Sequence, residues 1–163
     1  MSSTEIAFVP TTNEDLDIVL AIEQSPDNSL YIGQWEREQH QLAIADPNIG
    51  YFNVIAENKI VGYVILIGLT NSDRSIQFKR IAIQQKGYGF GRQAIRLVKR
   101  ITFEQFKAHR LWLDVMVHNT RAYSLYLSEG FVEEGILRQS LRQGENFIDL
   151  KVMSILESEY KQV

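Results

Sequence analysis

The sequence predicts a mixed α/β fold, with a mixed sheet that carries helices on both faces. Three observations support this: β-branched and aromatic runs joined by hairpin-length turns, apolar residues at helical spacing between them, and strand-helix-strand units alternating with the hairpins. With 163 residues, 45% of them hydrophobic, the chain can bury one sizeable core, so a single domain over residues 1–163 is expected. No repeat, low-complexity tract or Gly/Ser-rich linker interrupts it, and its 3 prolines, Pro10, Pro26 and Pro47, all lie in the first third.

Ile6 to Pro10 reads as a short strand. Thr11-Thr12-Asn13 offers capping side chains to a helix carrying Leu16, Val19, Leu20 and Glu23, and Ser25-Pro26-Asp27-Asn28 ends it. A second helix runs from about Glu36 to Ala45 and is closed by Asp46-Pro47-Asn48. Tyr51 to Glu57 and Ile60 to Leu69 then form a hairpin around Asn58-Lys59, and Ser75 to Ile83 is the next strand. Between Gly89 and about Phe106, Ala94, Ile95, Val98 and Ile101 recur at helical spacing. Leu111 to Val117 returns to a period of two, with Leu111, Leu113, Val115 and Val117 on one face and Trp112, Asp114 and Met116 on the other. Asn119 caps a helix that Gly130 stops. Phe131 to Arg138 and Asn146 to Ile155 complete the sheet around Gln143-Gly144-Glu145.

Composition removes several classes of function. A net charge of −3 supplies no basic field for nucleic acid or anionic lipid. The absence of cysteine excludes disulfides, thiolate zinc sites and thiol nucleophiles. The start, Met1 to Pro10, lacks a basic region followed by a long apolar stretch, and no later window has the length of a membrane span, so a cytoplasmic protein is expected.

The densest chemical signal is Lys86-Gly87-Tyr88-Gly89-Phe90-Gly91-Arg92, which follows a strand and opens a helix. Glycine reaches positive φ and brings backbone close to a ligand, and the unpaired amides of a helix start favour an anion. A phosphate or pyrophosphate site and a turn that simply launches a helix are equally compatible with the glycines. The spacing fits neither a P-loop nor a dinucleotide-binding turn, because Arg92 stands where the last small residue of the latter should pack.

A second signal is Asn119-Thr-Arg-Ala122-Tyr-Ser-Leu125-Tyr126-Leu-Ser-Glu-Gly130-Phe131. Together with the glycine turn it resembles the GCN5-related N-acetyltransferases (the GNAT family), over roughly Tyr51 to Ile155. Phe131-Val-Glu-Glu-Gly135-Ile-Leu-Arg138, followed by Asp149 and Met153, is similar to the branch holding ribosomal-protein N-terminal and spermidine acetyltransferases. The resemblance implies a GNAT-like, mostly antiparallel central sheet and transfer of an acetyl group from acetyl-coenzyme A to a primary amine.

Carried onto this chain, it implies that Gly87, Gly89 and Gly91 hold the coenzyme pyrophosphate, with Lys86 and Arg92 as added cations. Ile81 and Ile83 then lie beside the thioester, on backbone that pairs with the pantetheine arm. Asn119 serves as cap, coenzyme contact or both. Tyr126 matches the tyrosine that protonates the departing thiolate, and its neighbours Tyr123 and Leu125 also suit a packing stripe. Relatives often carry a glutamate on the strand before the glycine turn, where this chain has Gln77, which cannot take the proton of the attacking amine. Asp114, His118 or a water relay remain as base. No metal is required, and a homodimer is expected. Glu36, Glu38, Asp46, Glu133, Glu134 and Glu145 are acids that suit either a cationic acceptor or solvent, and Tyr31 and Trp35 suit either a pocket or the core. A module that senses acyl-coenzyme A without turning it over is the alternative.

Overall fold

The computed structural model describes residues 4–84 and 86–161; the first three residues of the amino-terminal stretch read above lie outside them. Seven strands form one sheet in the order β1 (Ile6–Pro10), β2 (Ile49–Ala56), β3 (Lys59–Ile67), β4 (Ser75–Ile83), β5 (Arg110–Met116), β7 (Asn146–Leu156) and β6 (Val132–Gln143). Every neighbouring pair is antiparallel except β4 and β5. The helices are α1 (Leu16–Gln24), α2 (Pro26–Ser29), α3 (Arg37–Ala45), α4 (Phe90–Arg100), α5 (Thr120–Ser128) and α6 (Glu157–Tyr160).

Alternation along the strands sorts the apolar side chains onto two faces. On one face, Leu16, Val19 and Ile22 of α1 and Ala43 of α3 pack on Tyr51, Tyr63, Ile65 and Ala82. On the other, Phe90, Ile95 and Val98 of α4 and Tyr126 of α5 pack on Val64, Leu66, Ile76, Phe78, Leu111, Leu113 and Val115. Each fully buried Val, Leu or Ile contributes about 1.5–3 kcal/mol, so the helices are fixed mainly by these two apolar layers.

The parallel pair does most to shape the molecule. Pairing runs only from Ser75↔Arg110 to Gln77↔Trp112, after which β4 and β5 diverge. One residue later β4 bulges: Phe78 faces Leu66 and Arg80 faces Ile65, leaving Lys79 as the extra residue. The bulge reverses the parity of the strand. Ile76 and Phe78 before it, and Ile81 and Ile83 after it, all belong to the α4/α5 layer, while Arg80 is buried on the α1/α3 face with Ala82.

Several local details depart from the sequence reading. The β2–β3 turn is Glu57-Asn58 (φ 50° and 65°), and Lys59 already pairs with Ala56, because a two-residue turn matching the strand twist needs left-handed backbone at both positions. Pro26 to Ser29 continues as a helical turn with Pro26 at its first position, where proline's missing N–H is harmless. The fourth helix ends at Arg100 and passes into a π-helical segment, Ile101–Gln105. Val117 lies beyond the end of β5, whose last residue is Met116.

Candidate active site

Where β4 and β5 part, the sheet opens into a cleft of about 1300 Å³. Ile81, Ile83, Lys86, Gly87, Gly89, Gly91, Arg92, Asn119 and Tyr126 all line it, together with Asp114 and His118. Gln77 is not among the lining residues, since it lies on the last rung where the two strands still pair.

One end of the cleft is built to hold an anion. Gly87 and Gly89 adopt φ of 87° and 76°, which side chains strain to reach, and a Cβ on either would meet nothing within 4 Å. Gly89 is the N-cap of α4, whose first turn contains no acidic side chain. Among the described residues, the first partnered amide there is Gln93 N, 3.1 Å from Gly89 O, so the preceding amides carry the helix's positive end. Gly91 has ordinary helical backbone, and its bare Cα keeps that end open to the cleft.

Lys86 donates to Asn28 Oδ1 at 2.9 Å, and partial burial and then the neighbouring Arg121 lower its pKa, partly offset by Asp27. Two cations that disfavour each other beside open amides fit a phosphate group. Arg92 is already engaged: its Nη1 donates to Glu129 Oε2 at 2.5 Å and to Ser128 Oγ at 3.1 Å. Asn119 caps α5 by accepting from Ala122 N at 3.3 Å.

The middle of the cleft holds Tyr126 and Asp114. Tyr126 packs edge-on against Phe78 and Phe131, with ring centroids 6.4 and 5.6 Å away. Burial and then the charge of Asp114 push its phenol pKa well up, so it stays protonated through alkaline pH. Burial also raises Asp114 above the ordinary carboxylate range, an effect that Lys79 partly offsets. A protonated phenol and a carboxylate of raised basicity in one cleft provide a proton donor and a proton acceptor. His118 is exposed, with Nε2 3.5 Å from the Leu30 carbonyl and its ring 5.7 Å from that of Tyr31.

Behind Arg80, which lines the cleft, lies a buried network that sequence reading missed. Glu23 is fully buried, and its Oε1 accepts from Arg80 Nη1 (2.9 Å), Tyr63 OH (3.3 Å) and Trp35 N (3.3 Å), with His40 Nε2 at 3.2 Å. Tyr51 OH lies 2.7 Å from His40 Nδ1, so a proton on Nε2 satisfies both ends of the ring. The one signal available was an acid at helical spacing with Leu16, Val19 and Leu20. Trp35 belongs to this network, beneath Arg80, while Tyr31 lines the cleft. The six acids considered for the acceptor lie elsewhere: Glu36 donates its backbone N–H to Gln39 Oε1, Asp46 accepts from Asn48 N, Glu133 pairs with Lys151, Glu134 pairs with Arg110, and Glu38 and Glu145 are exposed.

Residues 16–131 match the model of the acetyltransferase (GNAT) family. The chain belongs to the GNAT family. This GNAT chain is 36% identical over 106 residues to the spermidine N(1)-acetyltransferase of Vibrio cholerae, an alignment covering 64% of this chain and 61% of that protein. It is 26% identical over 109 residues to a probable N-acetyltransferase of Bacillus subtilis, covering 66% and 60% respectively, so the matches span under two thirds of these relatives' lengths. In three dimensions it resembles the crystal structure of spermidine N-acetyltransferase from Vibrio cholerae in complex with CoA and spermine, with a TM-score of 0.86, 28% identity and coverage of 96% and 98%. The mixed, mostly antiparallel sheet with helices on both faces is the fold of these GNAT structures.

Proposed function

We propose that this chain is an acetyl-CoA-dependent N-acetyltransferase that acylates a primary amine by direct attack within a ternary complex. The observation that carries this reading is the free edge of β4, which ends at the open amino terminus of α4 and faces Tyr126 and Asp114 across the cleft. When bound, acetyl-CoA supplies an acetyl thioester, an acyl group activated toward amines. Lys86, Arg121 and the amides after Gly89 hold its phosphates, with Gly87 and Gly89 giving the turn its shape. The β4 edge beside Ile81 and Ile83 pairs with the extended pantetheine arm. Arg92 shapes the phosphate site from its place on Glu129, and Asn119 sets the start of α5 at the cleft rim.

A protonated amine must lose a proton before it attacks. Asp114 takes it, directly or through one water, while Tyr126 donates to the sulfur as it leaves. The negative Asp114 raises the Tyr126 pKa and so keeps the phenol in its donating form. No cysteine is present to carry an acyl-enzyme. The relative named for spermidine makes a polyamine the first acceptor to try. Initial rates with acetyl-CoA and amine varied together are expected to give intersecting reciprocal plots; parallel plots would reject the ternary complex, and acetyl-CoA binding without thiol release would favour a sensing module.

A further inference from the structure

Asn28 stands between the two ends of the cleft. It is buried, its Oδ1 accepts from Lys86 Nζ at 2.9 Å, and its Nδ2 donates to Ile22 O in α1 (3.0 Å) and to Ile83 O at the end of β4 (3.2 Å). Its own carbonyl accepts from Tyr31 N (2.9 Å) and Ile32 N (3.1 Å). One residue thus joins the cation of the phosphate end to the segment 30–33 that follows α2.

That segment walls the side of the cleft where Asp114 would meet an amine. Asp114 alternates away from Leu111, Leu113 and Val115, which are buried in the α4/α5 layer, so it projects toward the α1/α3 face of the sheet. Ile32 packs on that same face, and Leu30, Tyr31, Ile32 and Gly33 all line the cleft. Leu30 O lies 3.3 Å from Gln143 Nε2 of β6, and the Tyr31 ring lies 5.7 Å from that of His118, beyond the end of β5. The segment therefore crosses the split from the end of β4 to the β5 side. Lys86 is able to serve both ends, because an ammonium has three donors and keeps Asn28 with one while another meets a phosphate. Lysine loses much rotamer freedom when it is ordered, so a phosphate that arrests Lys86 removes that cost from its bond to Asn28.

We infer that Asn28 is a positioning residue that couples the two substrate sites: a coenzyme phosphate held by Lys86 orders residues 30–33 through Asn28 and so prepares the acceptor wall. This rests on the acetyltransferase reading and adds a residue to it. The test is amide hydrogen exchange at Tyr31 and Ile32, whose N–H groups both donate to Asn28 O, with and without CoA at concentrations shown by calorimetry to saturate each variant. In the wild type, CoA is expected to slow exchange there by about fivefold or more, the lower end of ordinary coupling between sites. Lys86→Met is expected to lose the slowing, whereas Arg121→Met, which removes the α5 cation from the same end, is expected to keep it. Asn28→Ala is expected to lose it with Lys86 still present; if that variant does not fold, the Lys86 and Arg121 pair decides alone. Slowing that survives in Lys86→Met, that is lost equally in Arg121→Met, or that is absent from the wild type with CoA bound would overturn the inference. No saturable CoA binding by the wild type would instead overturn the underlying acetyltransferase reading.

Discussion

Tyr126 shows how burial and a nearby charge together set a protonation state. The phenol sits in an apolar layer near a carboxylate, and both burial and that charge favour its neutral form. Tyr126→Phe removes the donor while keeping the ring that packs on Phe78, so it is expected to lower kcat by about 100-fold or more with acetyl-CoA affinity unchanged; a variant with full turnover would remove Tyr126 from the chemistry. Asp114 has a cost of its own. Its carboxyl is raised above 3.8 in the folded chain, so its contribution to stability is present below the unfolded pKa and is lost as pH rises through the folded one. At neutral pH the charged form is therefore a burden that Asp114→Asn relieves. That variant is expected to melt higher, by about 2–4 °C per kcal/mol recovered, while losing turnover and the acid limb of its pH–rate profile. A lower melting temperature with an intact profile would contradict both assignments.

Among the elements, α4 and α5 are joined through one residue. Glu129 follows α5 and holds Arg92, Arg96 and Lys99 of α4, with Lys99 Nζ also 2.6 Å from its carbonyl. Burial raises its carboxyl, but Arg96, Arg92 and Lys99 outweigh this and hold it below 4.5. The clamp's stability is therefore full above the unfolded pKa and is lost as pH falls through the lowered one. Glu129→Gln is expected to cost about 1.5–3 kcal/mol in denaturant melts at pH 7, with the difference from wild type shrinking toward pH 3; a constant difference would assign the loss to packing.

The capping of α5 by Asn119, the glycine turn before α4 and the hairpins were readable in sequence because each depends on neighbours a few residues apart. The Glu129 clamp, the bulge at Lys79 and the Glu23 network were not. Glu23 meets His40 across 17 residues and Arg80 across 57, and no local period encodes such pairings. The same holds for Asn28, whose Nδ2 ties Ile22 O to Ile83 O and so fixes α2 against the end of β4 just before the turn.

At the scale of the whole molecule, a net charge of −3 conceals a cleft whose lining is rich in cations. Lys86 and Arg121 cluster at one end, Lys79 and Arg80 at the other, with Asp114 between. The split sheet separates these two ends, and the one at the amino terminus of α4 suits phosphates. The central claim is that the first end belongs to coenzyme A. Calorimetric titration with acetyl-CoA and CoA, with ATP and NAD as controls, tests this most directly. The account predicts one saturable site per chain for the two CoA ligands, weakened by Lys86→Ala, and no comparable heat from ATP or NAD. Absence of saturable CoA binding, or equal binding of ATP, would contradict it.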